Sequence, residues 1–96
     1  MNFEEEMKRV LKDGEVAMGE KSSKKAVLTG KAKMIVVASN APEAMKEDLS
    51  RYAKLSGVKY YVYPESAKEL GYLCAKPFPV ATFAVVKEGS SKILKA

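Results

Sequence analysis

Catalysis usually needs histidines, or carboxylates and thiols that converge, and this chain offers little of either. It has no histidine, which removes the commonest general base and the commonest metal ligand together. Neither a Ser-His-Asp nor a Cys-His site can be built. The single cysteine, Cys74, falls beside Leu70 and Leu73 on the apolar side of a predicted helix, where a small core residue is a simpler reading than a nucleophile. Glu4, Glu5 and Glu6 read as an acidic first helical turn, and no spacing of Asp, Glu and Cys resembles a metal site. Gly19 and Gly30 are too isolated for a Walker or dinucleotide loop. No catalytic residue, metal or cofactor is expected.

What remains is placed charge. Lys21, Lys24, Lys25, Lys31 and Lys33 follow one another with no acid from position 21 to 33. They surround the start of a predicted helix, where free backbone N–H groups and the positive end of the helix dipole favour an anion. Gly19 lets a phosphodiester come close to the backbone. An ordinary solvated lysine face accounts for the same run, and charge by itself does not choose between the two. Across the chain 17 basic residues face 12 acidic ones, for a net charge of +5, a balance that suits a polyanionic partner. Arg9 and Arg51 are the only arginines. Lysine acts as a point charge on phosphate, so backbone contact is favoured over the reading of bases.

Two further residues bear on recognition. Asn40 follows an apolar strand, at the strand end where ligands tend to sit, and its amide can both donate to and accept from a base edge. As a turn or cap residue ahead of Pro42 it has a plainer role, and the residues alone favour that one. Phe78 lies between Pro77 and Pro79. Held rigidly and exposed, it is a stacking platform for an unpaired base; folded inward, it is a core plug. Tyr60, Tyr61, Tyr63 and Tyr72 read as packing residues.

The elements that must position these groups alternate regularly. Residues 2–13 predict a helix, with Asn2 and Glu5 as a capping box, Phe3, Met7, Val10 and Leu11 on one face, and Gly14 as its stop. Val16–Met18 is a strand. Ser22 or Ser23 caps a second helix that ends at Gly30. Met34–Ala38, apolar throughout, is a strand buried on both faces. Asn40, Ala41 and Pro42 open a third helix that Gly57 ends. Val58–Tyr63 is a strand, Ser66 and Glu69 cap a helix over residues 67–74, residues 75–80 form a loop and Ala81–Val86 is the last strand. Residues 89–96 can form a final helical turn. The alternation implies a three-layer α/β/α sandwich in one domain spanning residues 1–96. A lone cysteine points to a reducing compartment, no apolar run approaches the roughly 20 residues of a membrane span, and the acidic start does not suit a signal peptide. Together these place the protein in the cytosol.

Several segments resemble the kink-turn RNA-binding ribosomal proteins of archaea and eukaryotes. They are Gly19–Ala26, Gly30–Asn40, Tyr52–Gly57, Glu69–Gly71 and Lys76–Val80, in the family's order and nearly without gaps. The resemblance implies a four-stranded mixed sheet of order 1-4-2-3. It implies a structural constituent of the large ribosomal subunit, not an enzyme, that stabilises a sharply bent helix of ribosomal RNA. It implies a cytoplasmic, ribosomal location, possible contacts with other ribosomal proteins and a monomer outside the ribosome.

Carried over by residue, Gly19 allows close approach, Lys21 meets the backbone and base edges at the bend, and Lys25 adds a phosphate contact. Asn40 reads a guanine of the sheared pairs, Phe78 stacks on an extruded base and Val80 completes an apolar rim. Ser22 stands where the broader superfamily often has glutamate, and Pro79 where some members carry a basic side chain. A related protein of another ribonucleoprotein, or a regulator of its own message, would present the same surface. A small metabolic enzyme and a protein-docking module built on the Phe78–Val80 loop are the rival readings.

Overall fold

Each predicted strand forms, and their pairing explains their composition. The computed structural model describes residues 3–95. Helix α1 (Phe3–Asp13) leads into strand β1 (Glu15–Met18), α2 (Glu20–Leu28), β2 (Met34–Ala38), α3 (Glu43–Ser56), β3 (Lys59–Tyr63), α4 (Ala67–Leu73) and β4 (Thr82–Lys87), with a short 3-10 turn at Ile93–Lys95. The sheet order is β1-β4-β2-β3. β4 runs antiparallel to both β1 and β2, and β2 runs parallel to β3. The result is the expected three-layer α/β/α sandwich.

The two central strands are apolar because both of their faces are covered. Met34, Val36 and Ala38 of β2, with Phe83 and Val85 of β4, enter a core built with Met7 and Val10 of α1, Leu70 of α4 and Ile93. The alternate residues Ile35, Val37 and Ala84 enter a second core with Ala26 and Val27 of α2 and Leu49 and Ala53 of α3. Thr82, the buried polar residue that opens β4, is satisfied by donating its hydroxyl to the Val36 carbonyl at 2.8 Å, which removes the cost of burying it. Cys74 is a core residue, 2% exposed, and burial pushes its thiol up to about 11. That keeps it protonated and unreactive.

Some boundaries differ from expectation. α2 begins three or four residues early, at Glu20, and its cap position is Gly19 rather than Ser22 or Ser23. Ser23 is buried instead, because it lies on the face against β1, where its hydroxyl donates to the Ala17 carbonyl at 3.4 Å. Pro42 stands at the cap position of α3, and Gly57 ends α3 in the left-handed conformation, both as expected. Tyr61 and Tyr63 pack as expected against Phe3, with ring centroids 4.5 and 5.5 Å away. Tyr72 does not pack: it is 61% exposed, on the solvent side of α4. Asn2 lies outside the described residues.

The end of the sheet where β1 begins and β4 ends is closed by a polar clasp. Glu6 is buried and its Oε1 accepts from the Lys92 N–H at 2.7 Å and the Ser91 hydroxyl at 3.2 Å. Asp13 Oδ1 accepts from the Ser90 N–H at 3.1 Å. The acidic stretch of α1 therefore anchors the segment after β4, beyond favouring the helix dipole.

Candidate nucleic-acid interface

At the opposite end of the sheet three loops meet, and backbone hydrogen bonds tie them together. Gly19 has φ +89°, a conformation that side-chain-bearing residues rarely adopt. Its N–H donates to the Thr82 carbonyl at 3.0 Å, which fixes the start of α2 against the start of β4. A Cβ at Gly19 would project into open space. The glycine is therefore required by its conformation, not by internal packing, and it leaves the backbone accessible. The Ser23 N–H closes the first helical bond on the Gly19 carbonyl, so the earlier amides at the positive end of α2 point outward.

The second and third loops share an anchor in Ala67. Asn40 is exposed, and its Oδ1 accepts from the Ala67 N–H at 2.8 Å. Ser66 Oγ accepts from the Glu69 N–H at 3.4 Å. Between them, two first-turn donors of the short helix α4 are capped. The Ala67 carbonyl in turn accepts from the Val80 N–H at 3.0 Å. Asn40 is thus a turn residue, as expected, but the helix it caps is the distant α4 and not α3, whose start has no side-chain cap; it is also a candidate contact. With one lone pair of its oxygen engaged, the Nδ2 amide is the part it offers outward.

The Phe78 loop rests on α4 through a glycine. The Lys76 N–H donates to the Gly71 carbonyl at 2.9 Å and the Ala75 N–H to the Tyr72 carbonyl at 3.0 Å. Ala75 holds φ +58° to make this turn. A Cβ at Gly71 would run into the Phe78 carbonyl oxygen. Seated this way, Phe78 is 55% exposed and is not a core plug. Val80 is only 4% exposed and belongs to the core. Where an apolar rim was expected, Val80 is largely covered and shows only an edge to a cleft of about 220 Å³, which Phe78 also lines. That cleft also lies against Met18, Gly19 and Thr82.

The lysines separate into two groups. Lys24 lies 3.3 Å from Glu20 and 3.5 Å from Asp48, over the Tyr52 ring at 5.6 Å. Hydrogen bonding to Glu20 above all holds its pKa above the ordinary value, despite some desolvation. Lys33 pairs with Glu88 at 3.2 Å. Lys21 and Lys25 are exposed and, among the described residues, neither is in an ion pair. Ser22 and Lys25 face a second cleft, of about 230 Å³, between α2 and the β1 edge of the sheet. Gly19, Phe78 and Val80 thus share one cleft, Ser22 and Lys25 the other, and the start of α2 divides them.

Reading residues one by one missed Ala67, Gly71 and Thr82, which act through their backbones. Only Gly71 left a local signal. A glycine inside a helix costs about 0.5–1 kcal/mol relative to alanine, so its presence in α4 marks a backbone passing close by. Among the described residues no group of His, Cys, Asp and Glu could hold a metal, and no helix is long and apolar enough to cross a membrane.

Fold and site define an α/β/α protein with a cross-tied, lysine-flanked end suited to a polyanion. Residues 1–95 match the Ribosomal protein L7Ae/L30e/S12e/Gadd45 family, and the chain belongs to it. It is 44% identical over 93 residues to the large ribosomal subunit protein eL30 of Sulfurisphaera tokodaii, covering 97% of this chain and 88% of that protein. The eL30 protein of Methanocaldococcus jannaschii is 38% identical over 95 residues, covering 99% and 86%. A solved structure of a protein with unknown function from Bacillus halodurans C superposes with a TM-score of 0.86, at 19% identity, over 98% of this chain and 93% of that one. That likeness is one of fold.

Proposed function

We propose that this chain is a structural protein of the large ribosomal subunit that binds and stabilises a kink-turn in ribosomal RNA, acting on the cytoplasmic ribosome and catalysing nothing. The observation that carries the reading is the convergence of Gly19, Asn40 and Phe78, from three separate loops, on one cross-tied end of the sheet. The eL30 relatives and the family support it.

A bent RNA brings phosphates together, and that crowding is what unpaired lysines relieve. In this reading Lys21 and Lys25 neutralise phosphates, while the outward amides of α2 and the bare backbone at Gly19 cradle one more. Ser22 adds a hydroxyl at the first turn of α2. Asn40 donates Nδ2 to a guanine edge of the sheared pairs. Phe78 stacks on the extruded base, with Val80 at the edge of the same cleft. Little order is lost on binding, because the three loops are already tied to one another.

The test compares a kink-turn RNA with a straight duplex of equal length. Phe78→Ala is expected to weaken binding of the kink-turn by about 1–3 kcal/mol while leaving duplex binding and the melting temperature unchanged. Equal affinity of the wild-type protein for both RNAs would reject the reading.

A further inference from the structure

The five lysines of residues 21–33 are not equivalent, and their pairing marks a path. Lys24 and Lys33 are cancelled by acids on other elements. Among the described residues no acid pairs with Lys21, Lys25 or Lys31. Lys21 stands in the first turn of α2, Lys25 one turn further along, and Lys31 just past the helix end. Lys25 and Lys31 line the same cleft, with Ser22 at its upper edge.

Lys31 is placed there by a fixed turn. Gly30 takes φ +73°, and the Lys31 N–H donates to the Ala26 carbonyl at 2.8 Å. That same turn satisfies the Lys25, Ala26 and Val27 carbonyls at the negative end of α2. Thr29 gives both its N–H and its hydroxyl to Lys25, Gly30 gives its N–H to Val27, and Ala32 gives its N–H to Ala26. Helix-end carbonyls commonly attract a lysine side chain. Here backbone donors fill them, so the Lys31 ammonium is left over. One acid, Glu15, borders the cleft, and it stands across the ladder from Lys87.

We infer that the RNA-binding face extends beyond the bend: one stem of the bound RNA runs down the outer flank of α2, its phosphodiester backbone held by Lys25 and Lys31. Nine helical residues rising about 1.5 Å each span about 13 Å, so the contact reaches two or more phosphates past those at the helix start. The inference rests on the kink-turn reading of the preceding section, and names which lysines serve it.

The experiment measures affinity by fluorescence anisotropy at a series of KCl concentrations. The probes are a minimal kink-turn RNA and two versions, each with a different stem lengthened. For the wild-type protein, one lengthened RNA is expected to show the steeper salt dependence. On that RNA, Lys31→Ala should lower the slope by about 0.7–0.9, the value for one phosphate contact, and Glu15→Gln should raise affinity. On the minimal RNA, Lys31→Ala should change nothing. Lys33→Ala should leave the slope unaltered on every RNA. A wild-type slope indifferent to stem length, a Lys31→Ala loss equal on all RNAs, or a matching loss in Lys33→Ala would each overturn the path. Phe78→Ala and Asn40→Ala on the minimal RNA report the kink-turn reading separately. If both weaken it while Lys31→Ala is silent everywhere, the bend is bound and the stem is not.

Discussion

The two ends of the sheet use similar hydrogen bonds to opposite effect. At one end, Glu6 and Asp13 accept backbone N–H groups from Ser90 and Lys92, and Arg9 engages the remaining Glu6 oxygen at 3.3 Å. At the other end, a neutral Asn40 accepts one N–H from Ala67 and remains exposed. The clasp turns its carboxylates inward onto the chain itself. The loop end spends only enough to hold its shape. A surface can be rigid and still reactive when the groups that fix it are backbone atoms and half of one side chain, with the charged groups left unengaged.

The largest expected effect strikes the support of the loop end. Gly71→Ala forces a methyl into the Phe78 carbonyl and should cost about 1–3 kcal/mol of stability. It should also weaken kink-turn binding as much as Phe78→Ala does, with no further loss in the double variant. Denaturation and RNA titration of the three variants check this. Full independence of the two substitutions would show that Gly71 does not seat the platform.

Asn40 separates cap from contact. Asn40→Ala should lose about 1–3 kcal/mol of kink-turn affinity and about 1 kcal/mol of stability. Asn40→Asp retains the acceptor for Ala67 and so should retain stability, yet it loses the outward donor and should still bind poorly. If Asn40→Asp bound like wild type, Asn40 would be a cap alone.

Acid should open the clasp first. The Lys92 N–H holds the Glu6 carboxyl below its ordinary 4.5, and the Ser90 N–H holds Asp13 below its ordinary 3.8. Ionised carboxylates therefore favour the folded chain. That contribution is complete above the ordinary values and is lost as pH falls below them through the lowered ones. Amide exchange at Ser90 and Lys92 should accelerate there, corrected for the intrinsic rate, before exchange at Gly19 or Val80 does. Simultaneous opening would mean the two ends are one cooperative unit.

The smallest effect is expected at Ala75. Its φ of +58° costs an L-residue about 1–2 kcal/mol, and the greater freedom of unfolded glycine offsets about 0.5–1 kcal/mol. Ala75→Gly should therefore stabilise the protein slightly and leave RNA binding intact, as measured by denaturant midpoint and titration. A fall in affinity would show that the strained turn helps to hold Phe78.

Much of this protein is written locally. The alternating faces of β2 and β4, the Ser66–Glu69 cap, the αL stop at Gly57 and the inert Cys74 follow from spacings within a few residues, because helix and strand periods and caps are short-range effects. The missing histidine likewise needed no fold to weigh against metal and acid–base chemistry. The family resemblance pointed to Gly19, Lys21, Ser22, Lys25, Asn40, Phe78 and Val80; the structure brings the loops of Gly19, Asn40, Phe78 and Val80 to one end and sets Lys21, Ser22 and Lys25 on α2 beside it.

Tertiary structure alone decided what each of these residues has left to offer. Asp48 and Glu88, 24 and 55 residues from Lys24 and Lys33, neutralise two lysines of a run that looked uniform. Ala67, 27 positions from Asn40, takes its oxygen. The packing of the Phe78 loop onto Gly71 buries Val80 and exposes Phe78, while Tyr72 of the same helix faces solvent. The physical reason is range. A backbone hydrogen bond inside a helix or a cap is set by neighbours in sequence, whereas the pairing of a charge depends on which distant element the topology lays against it.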